Sequence, residues 1–258
     1  MIMKNPRIIS FANHKGGVGK TTTTANVGSI LAQKGYKVLV IDLDPQANLT
    51  FSLYDGEIGD SIYEAMTDRI DTLPVLNISE NLDLVPSTLD LCAAEFELAS
   101  AMSRESILRN LLVPIQEEYD FILTDCPPSL GILTINGMAA SNEIIVPLIA
   151  EALPFNGFKF ISKTISRVQK KLNKDAHISG VLITRYEKSR LSENMEDQMR
   201  QNLGDLVFRT KIRKNITVAS APIKCQNIVD YSPGSNGAKD YVAFTEELLM
   251  KLGARSEK

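Results

Sequence analysis

A glycine-rich segment near the N-terminus, FANHKGGVGKTTTTANVG from Phe11 to Gly28, contains the residue types that bind phosphate. It fits the pattern G-x-x-x-x-G-K-[ST] at Gly19, Lys20 and Thr21, but His14 replaces the first glycine. Such glycines turn backbone N–H groups toward one anion, the lysine neutralises the β- and γ-phosphate oxygens, and the hydroxyl coordinates Mg²⁺. We therefore predict a nucleotide-binding loop.

Aspartates end two further apolar segments. VLVIDLDPQANLT places Asp42 and Asp44 two residues apart, so both side chains point to the same side of an extended segment. In FILTDCPPS the apolar run ends in Asp125, the position of a carboxylate that holds the hydration shell of Mg²⁺. Each aspartate alone could instead be a helix cap or a turn residue. Together with the glycine-rich loop they predict a site that hydrolyses the nucleotide, with Thr21 and Asp125 beside the metal.

The elements that must position these residues alternate between short apolar runs and longer helical patterns. The predicted strands are Arg7–Ala12, Lys37–Asp42, Leu82–Ser87, Phe121–Asp125, Glu143–Leu148 and Gly180–Arg185. The predicted helices are Thr21–Gln33, Glu95–Leu112, Phe155–Leu172, Ser192–Leu203 and Ala238–Leu252. This order predicts one α/β domain over residues 1–258, with a mostly parallel twisted sheet and helices on both faces. The pattern over Tyr54–Ile78 indicates no single element.

Composition excludes several classes of protein. The net charge of −3 gives no global attraction to nucleic acid or to an anionic membrane, so such binding needs a local patch. Three widely spaced cysteines argue against a disulfide framework and for a reducing cytoplasm. We expect neither a secretory leader nor a membrane span, because no apolar stretch has the required length.

Three motifs together resemble the ParA/MinD group of P-loop ATPases. They are KGGVGKTT at Lys15–Thr22, DLDPQ at Asp42–Gln46 and DCPPS at Asp125–Ser129, which look like the deviant Walker A, switch I and Walker B elements. The segment from Val207 to Leu249 is similar to the C-terminal part of the ParA partitioning branch. The resemblance covers nearly the whole chain, and it implies a single-domain P-loop NTPase fold.

The resemblance assigns roles to individual residues. Lys15, the second lysine of the loop, would reach across a nucleotide-sandwich dimer to the phosphates of the partner subunit, as an arginine finger does in trans. The alternative is a solvated lysine at the loop entrance. With Lys15 and Lys20, Asp44 would be catalytic, because it would orient the attacking water. Asp42 would support the metal through the switch segment, and Asp125 would hold it through water.

The nucleotide contacts implied by the resemblance extend beyond the lysines. They are Lys15, Gly16, Gly17, Val18, Gly19, Lys20, Thr21, Thr22 and Asn215. Arg213 departs from the pattern, since many relatives have a proline there, whereas Glu151 and Gly157 fit it. No helix-turn-helix extension precedes the first strand, so operator binding is not expected.

The implied function is an ATP- and Mg²⁺-dependent DNA-partitioning ATPase, slow when alone. It would form a homodimer on ATP binding, bind DNA non-specifically and be released by a ParB-like centromere-binding activator. Its expected location is the cytoplasm, on the nucleoid when ATP is bound. The cargo stays open between a plasmid, a chromosome, an integrative element and a protein cluster.

A basic stretch between Gly204 and Cys225 is the candidate DNA surface. An extended segment would put Arg209, Lys211 and Arg213 on one face, where they can meet phosphates without reading sequence. The candidate DNA-binding residues are Arg185, Arg209, Lys211, Arg213, Lys214 and Lys224. The alternative is an edge strand that its charges keep soluble.

Two other functions are weighed against partitioning. A MinD-like positioning switch would need a basic amphipathic C-terminal helix, and AFTEELLMKLGARSEK has no aromatic-rich basic face, so no membrane partner is expected. A metal-cluster carrier would need paired cysteines, which the sequence lacks.

Overall fold

One eight-stranded sheet runs through the molecule, in the order β3-β4-β2-β5-β1-β6-β7-β8. The structure is a computed structural model that describes residues 6–150 and 154–253. The strands are β1 Arg7–Phe11, β2 Val38–Asp42, β3 Leu76–Ser79, β4 Leu82–Val85, β5 Phe121–Asp125, β6 Glu143–Ile149, β7 His177–Tyr186 and β8 Val207–Arg213. All neighbours pair in parallel except β3, which pairs antiparallel with β4.

Helices cover both faces of the sheet. They are α1 Lys20–Gln33, α2 Asn48–Leu53, α3 Ile62–Met66, α4 Leu91–Glu97, α5 Ile107–Leu112, α6 Ile132–Ala140, α7 Pro154–Lys171, α8 Arg190–Leu203, α9 Ile216–Ser220, α10 Ile228–Tyr231 and α11 Asn236–Lys251. α1 and α11 pack on one face, and α6, α7 and α8 on the other. The predicted fold class, a mostly parallel P-loop NTPase sheet between two helical layers, is confirmed.

The central strands align their carboxyl ends at one edge of the sheet. Along β1, Ile8 enters the core of one face while Ile9 and Phe11 enter the core of the other, as alternation in a strand requires. In the parallel register, Asp125 lies beside Phe11 on one side and beside Asp42 on the other. The loop after β1 and both strand-end aspartates therefore meet at one place.

The helix predicted over Glu95–Leu112 is wrong. α4 ends at Glu97 and α5 begins only at Ile107, because Ala101 is extended and Ser103 has a left-handed φ of 53°. A side chain from α6 satisfies backbone groups at the break: Asn136 Nδ2 donates to the Arg104 carbonyl (2.7 Å), and its Oδ1 accepts from Leu108 N (3.1 Å). A long-range contact thus interrupts a locally helical pattern.

Three elements, α6, β3 and α3, had no clear sequence signal. α6 is buried on nearly all sides, so it lacks the amphipathic period that reveals a surface helix. β3 and the short α3 lie in the segment left without an element. Glu151 and residues 1–5 and 254–258, on which some sequence expectations rest, lie outside the described residues. No helix within the described part of the chain has both the length and the apolar character needed to cross a membrane.

Close packing between β7 and β8 generates a stability prediction. A Cβ at Gly180 would lie 2.2 Å from Phe208 Cε2, and this ring is buried edge-on against Phe244. Since the ring has no room to move, we expect Gly180→Ala to lower the free energy of unfolding by about 1–3 kcal/mol. Urea unfolding followed by circular dichroism measures the change.

The matched control is Gly59→Ala, since Gly59 is exposed and a Cβ there has no heavy atom within 4 Å. A Gly180→Ala midpoint equal to that of the control would show that the Phe208 ring is not held as described.

Candidate nucleotide site

A cleft of about 820 Å³ opens at the carboxyl edge of the sheet, between the loop after β1 and the segment after β8. The predicted nucleotide-binding residues that line it are Gly16, Gly17, Gly19, Lys20, Thr21, Thr22 and Asn215, and Asp44 lines it too. Val18 is buried beneath the loop, and Asp42 and Asp125 are buried at the strand ends. The fold thus gathers residues from four regions of the sequence at one opening.

The loop has the backbone conformation that phosphate binding requires. Gly17 and Gly19 have φ values of 69° and 82°, in the left-handed region that favours glycine. Gly19 is also the N-cap of α1. Because glycine has no side chain, it leaves the first N–H groups of the helix uncapped. Those groups and the positive end of the helix dipole form an anion site.

Three side chains from elsewhere in the fold hold this loop. Asn13 Nδ2 donates to the Pro147 carbonyl in β6 (2.6 Å), while its Oδ1 accepts from Lys15 N (3.1 Å). Thr184 Oγ1 in β7 donates to the Val18 carbonyl (2.8 Å). Arg185 Nη1 donates to the Gly17 carbonyl (3.2 Å). The bonds from Thr184 and Arg185 use loop carbonyls, and Asn13 takes the N–H of Lys15, so these bonds leave the N–H groups that follow Lys15 in the loop available to a ligand.

The two lysines of the loop have different environments. Lys20 is buried, and burial lowers the pKa of its ammonium group, while Asp125, Cys126 and Asp44 oppose that shift. Its Nζ donates to the Lys15 carbonyl (3.2 Å). The Lys15 side chain is exposed, and its ammonium group has no hydrogen bond or ion pair within the described residues. Lys20 therefore belongs to the cleft, and Lys15 projects from it.

Asp125 is the least satisfied polar group of the site. It is fully buried, and neither carboxylate oxygen has a hydrogen-bond partner among the described residues. Burial, reinforced by Asp42, raises the pKa of Asp125 well above its usual range, and the nearby Thr21 hydroxyl and Lys20 only partly oppose this. Unpartnered carboxylate oxygens facing a phosphate loop are what a hydrated Mg²⁺ requires, so the residues fit that ion.

Asp42 organises the loop that follows β2. Its Oδ1 accepts from Asp44 N (3.0 Å), and its Oδ2 accepts from Thr50 N (2.9 Å) and Thr50 Oγ1 (2.8 Å). Burial raises the pKa of Asp42 to about 6 despite these bonds. Ser87 Oγ also donates to the Asp44 carbonyl (2.8 Å). Asp42 thus fixes the backbone that carries the Asp44 carboxylate into the cleft.

The far end of the cleft is apolar. Phe51, Ile216 and Ile223 are exposed yet line this one opening. Asn215 caps α9 by accepting from Thr217 N (2.9 Å), and Ile212 lies beside it in the cleft wall. A phosphate loop at one end and apolar walls at the other match a nucleotide, with the base against the apolar side chains.

Sequence reasoning missed this apolar wall and the loop-holding residues Asn13 and Thr184. The large apolar residues in the otherwise polar stretch after β8 are the sequence feature that could have indicated the apolar wall. Arg185, one of the DNA-binding candidates, instead lines the cleft and donates a hydrogen bond to the phosphate loop. The backbone of Arg185 has a φ of 50°, which is rare for a residue with a side chain.

The basic residues of β8 do not form the single face that alternation predicts. Phe208 and Ile212 point into the core as expected. Lys211, however, pairs with Glu196 of α8 and lies 4.0 Å from the Tyr186 ring centroid. Arg213 pairs through Nη2 (2.6 Å) and Nε (2.9 Å) with Asp240 of α11, on the opposite face.

Of the remaining DNA-binding candidates on or after β8, one forms an ion pair and, among the described residues, two do not. Lys214 pairs with Glu187 (2.5 Å), and both Arg213 and Lys214 line the nucleotide cleft. Arg209 and Lys224 are exposed, and no ion pair involves either of them in the described part of the chain. Lys211 and Arg213 separate where the register between β7 and β8 shifts, and Arg213 at the end of the strand pairs with Asp240 of α11.

The buried carboxylates predict how metal-free stability depends on pH. Because the pKa of Asp125 is raised in the fold, its destabilising contribution begins above the unfolded value of 3.8 and is complete above its folded pKa. We expect Asp125→Asn without Mg²⁺ to be more stable than the native chain at pH 8, a gain that vanishes toward pH 4. Urea unfolding in EDTA across this range measures it.

The exposed Asp71→Asn is the control and should change stability at neither pH. Adding Mg²⁺ with ATP should stabilise the native chain more than Asp125→Asn, which keeps the phosphate loop but loses the carboxylate beside the metal. A variant less stable than the native chain at pH 8 in EDTA would mean that the carboxylate already has a favourable partner in the fold.

Comparison with known proteins agrees with this site. Residues 6–178 match the protein family described as AAA domain. The chain is 37% identical over 247 residues to the sporulation initiation inhibitor protein Soj of Bacillus subtilis, covering 94% of this chain and 98% of that protein. It is 35% identical over 250 residues to the chromosome partitioning protein ParA of Myxococcus xanthus, covering 95% and 88%.

A solved structure has the same fold with ligands in place. The cobyrinic acid a,c-diamide synthase from Mycobacterium smegmatis, with a bound ATP analogue and magnesium, matches with a TM-score of 0.84 and 33% identity over 96% of both chains. The cleft of this chain fits the same two ligands, and the chain's activity is that of a nucleotide-hydrolysing P-loop ATPase. The chain belongs to the ParA/MinD group of P-loop ATPases.

Proposed function

We propose that this chain is an Mg²⁺-dependent DNA-partitioning ATPase that dimerises around ATP. The observation that carries the proposal is the contrast between Lys20, buried in the cleft, and Lys15, exposed beside it without an ion pair in the described residues. A cation outside an otherwise complete phosphate site has a physical use when a second subunit brings its own phosphates within reach. Relatives named Soj and ParA, the latter a chromosome partitioning protein, support the cellular role.

The residues divide the hydrolytic work. The glycine N–H groups and Lys20 bind the β- and γ-phosphates, and the Thr21 hydroxyl and Asp125 hold the hydrated Mg²⁺, which neutralises phosphate charge. Asp44, carried into the cleft by the loop that Asp42 fixes, orients the attacking water. Lys15 of the partner subunit completes the positive charge around the transferred phosphoryl group, so hydrolysis is slow in a monomer.

Dimerisation would couple nucleotide to DNA. Exposed basic residues on one subunit hold a duplex weakly because the chain as a whole is acidic. Two subunits joined through ATP present two such surfaces, so affinity rises through effective concentration. A ParB-like partner that stimulates hydrolysis would dissolve the dimer and release it from the nucleoid in the cytoplasm.

A MinD-like positioning role on a membrane has less support. The apolar side of α11 is buried, since Tyr241, Phe244 and Leu248 pack in the core beside α1 and β8. Within the described residues this helix therefore has no free apolar face to insert into lipid.

Lys15→Ala separates dimer chemistry from nucleotide binding. We expect the variant to bind ATP about as tightly as the native chain, because Lys15 lies outside the cleft, and to lose at least about tenfold in ATP turnover. Lys20→Ala, the comparison variant, should instead lose ATP binding. Isothermal titration and phosphate release measure the two properties. If Lys15→Ala hydrolyses ATP at the same rate as the native chain, this lysine has no role in catalysis.

Asp44→Ala should trap the ATP-bound dimer. Removing the water-orienting carboxylate slows hydrolysis and leaves the phosphate-binding donors in place, so the assembled state persists. Sedimentation with ATP, with ADP and without nucleotide tests this, and the trapped dimer should bind duplex DNA only with ATP. A variant that stays monomeric with ATP, or equal duplex binding in all three conditions, would contradict the proposed cycle.

A further inference from the structure

α7 and the turn after it carry a concentration of positive charge that the sequence reading did not use. Residues 154–174 contain six basic residues and no aspartate or glutamate, in a chain whose net charge is −3. The basic residues are Lys159, Lys163, Arg167, Lys170, Lys171 and Lys174. This segment is therefore strongly basic within an acidic protein.

The charges lie along one side of the helix. Lys159, Lys163, Arg167 and Lys170 are four, four and three residues apart, which places successive residues on the same face. All four are exposed, whereas Ile161, Ile165 and Val168 are buried against the sheet. The row extends for about 16 Å at 1.5 Å per residue. We call these four residues the α7 basic face.

No acid neutralises the α7 basic face. None of its four side chains takes part in an ion pair or a hydrogen bond within the described residues. Neighbouring like charges at this spacing repel one another in the free protein. The basic residues of β8 differ, since Lys211 and Arg213 pair with Glu196 and Asp240. An anionic partner is thus more easily met on α7 than on β8.

The surface itself is shaped for phosphate groups. A shallow groove of about 260 Å³ is lined by Ser162, Lys163, Ser166, Arg167 and Lys170. It combines two hydroxyl donors with three cations, the side chains that contact phosphodiester oxygens in non-specific complexes. Phe160 is exposed but lies toward the phosphate loop, with its ring centroid 5.9 Å from that of His14.

We infer that the α7 basic face binds the phosphate backbone of duplex DNA, without reading its sequence. The inference rests on the proposed partitioning function and names the surface through which DNA is held. A protein partner would be expected to meet aromatic or apolar anchors, and a membrane an apolar flank, and the α7 basic face has neither. Regularly spaced cations with serine hydroxyls between them fit a repeating phosphate backbone.

The test compares two triple variants that each remove three positive charges. Lys163→Gln, Arg167→Gln and Lys170→Gln neutralise α7, and Lys34→Gln, Arg69→Gln and Lys239→Gln neutralise exposed bases elsewhere. Binding of a fluorescent random-sequence duplex is followed by anisotropy with ATP and Mg²⁺ over a salt series. Sedimentation with ATP and thermal unfolding are measured on the same samples.

The α7 variant should lose about tenfold or more in affinity, with a plot of log K against log salt shallower by about two to three, while the control stays near native. Both should fold and dimerise as the native chain does. Lys163→Arg with Lys170→Arg, which keeps the charge, should bind like the native chain. A loss in this last variant would indicate a packing effect and would overturn the inference.

Failure of the inference is distinguishable from failure of the proposed function. If the native chain binds the duplex and the α7 variant binds it no more weakly than the control variant does, the α7 surface is wrong and the proposed partitioning function stands. No duplex binding by the native chain in any nucleotide state would overturn both. Loss of binding to anionic phosphatidylserine vesicles, with duplex binding unchanged, would assign the α7 basic face to a membrane instead.

Discussion

Two aspartates buried side by side at the ends of β2 and β5 set the constraint on which this site depends. Asp42 and Asp125 are adjacent in the parallel register, and both are fully buried. Asp42 is satisfied by Thr50 and the backbone of Asp44, whereas Asp125 has no partner among the described residues. A buried, unpartnered carboxylate is costly, so this edge is electrostatically incomplete until a cation arrives. Ligand binding and the stability of the fold are linked there.

The phosphate loop is held from the other half of the sheet. Asn13 bonds to β6, and Thr184 and Arg185 reach the loop from the end of β7. The loop carbonyls are thereby occupied before any ligand binds, and the N–H groups keep their orientation. Preorganised donors need no rearrangement when charge develops on the phosphoryl group, which is the main source of catalytic power in such sites.

Pairing, rather than the number of basic residues, decides which surface of this acidic chain attracts a polyanion. Lys211 and Arg213 of β8 pair with Glu196 of α8 and Asp240 of α11. None of the acids in the described parts of the chain pairs with the α7 basic face, so its charges remain available. Charge near the nucleotide cleft therefore serves the fold, and charge along α7 faces solvent.

The sequence by itself determined the phosphate loop, the strand-end aspartates and the alternation of strands and helices, because these depend on local spacing and composition. Tertiary structure decided what local patterns do not encode. Asn136 of α6 divides the helix expected over Glu95–Leu112, and α6 itself is hidden because burial on all sides removes its period. In the sequence Lys211 and Arg213 look like unpaired charges on one face of a strand. In the fold they pair with Glu196, 15 residues earlier, and Asp240, 27 residues later. Such pairings form only when distant segments pack, so no local pattern predicts them.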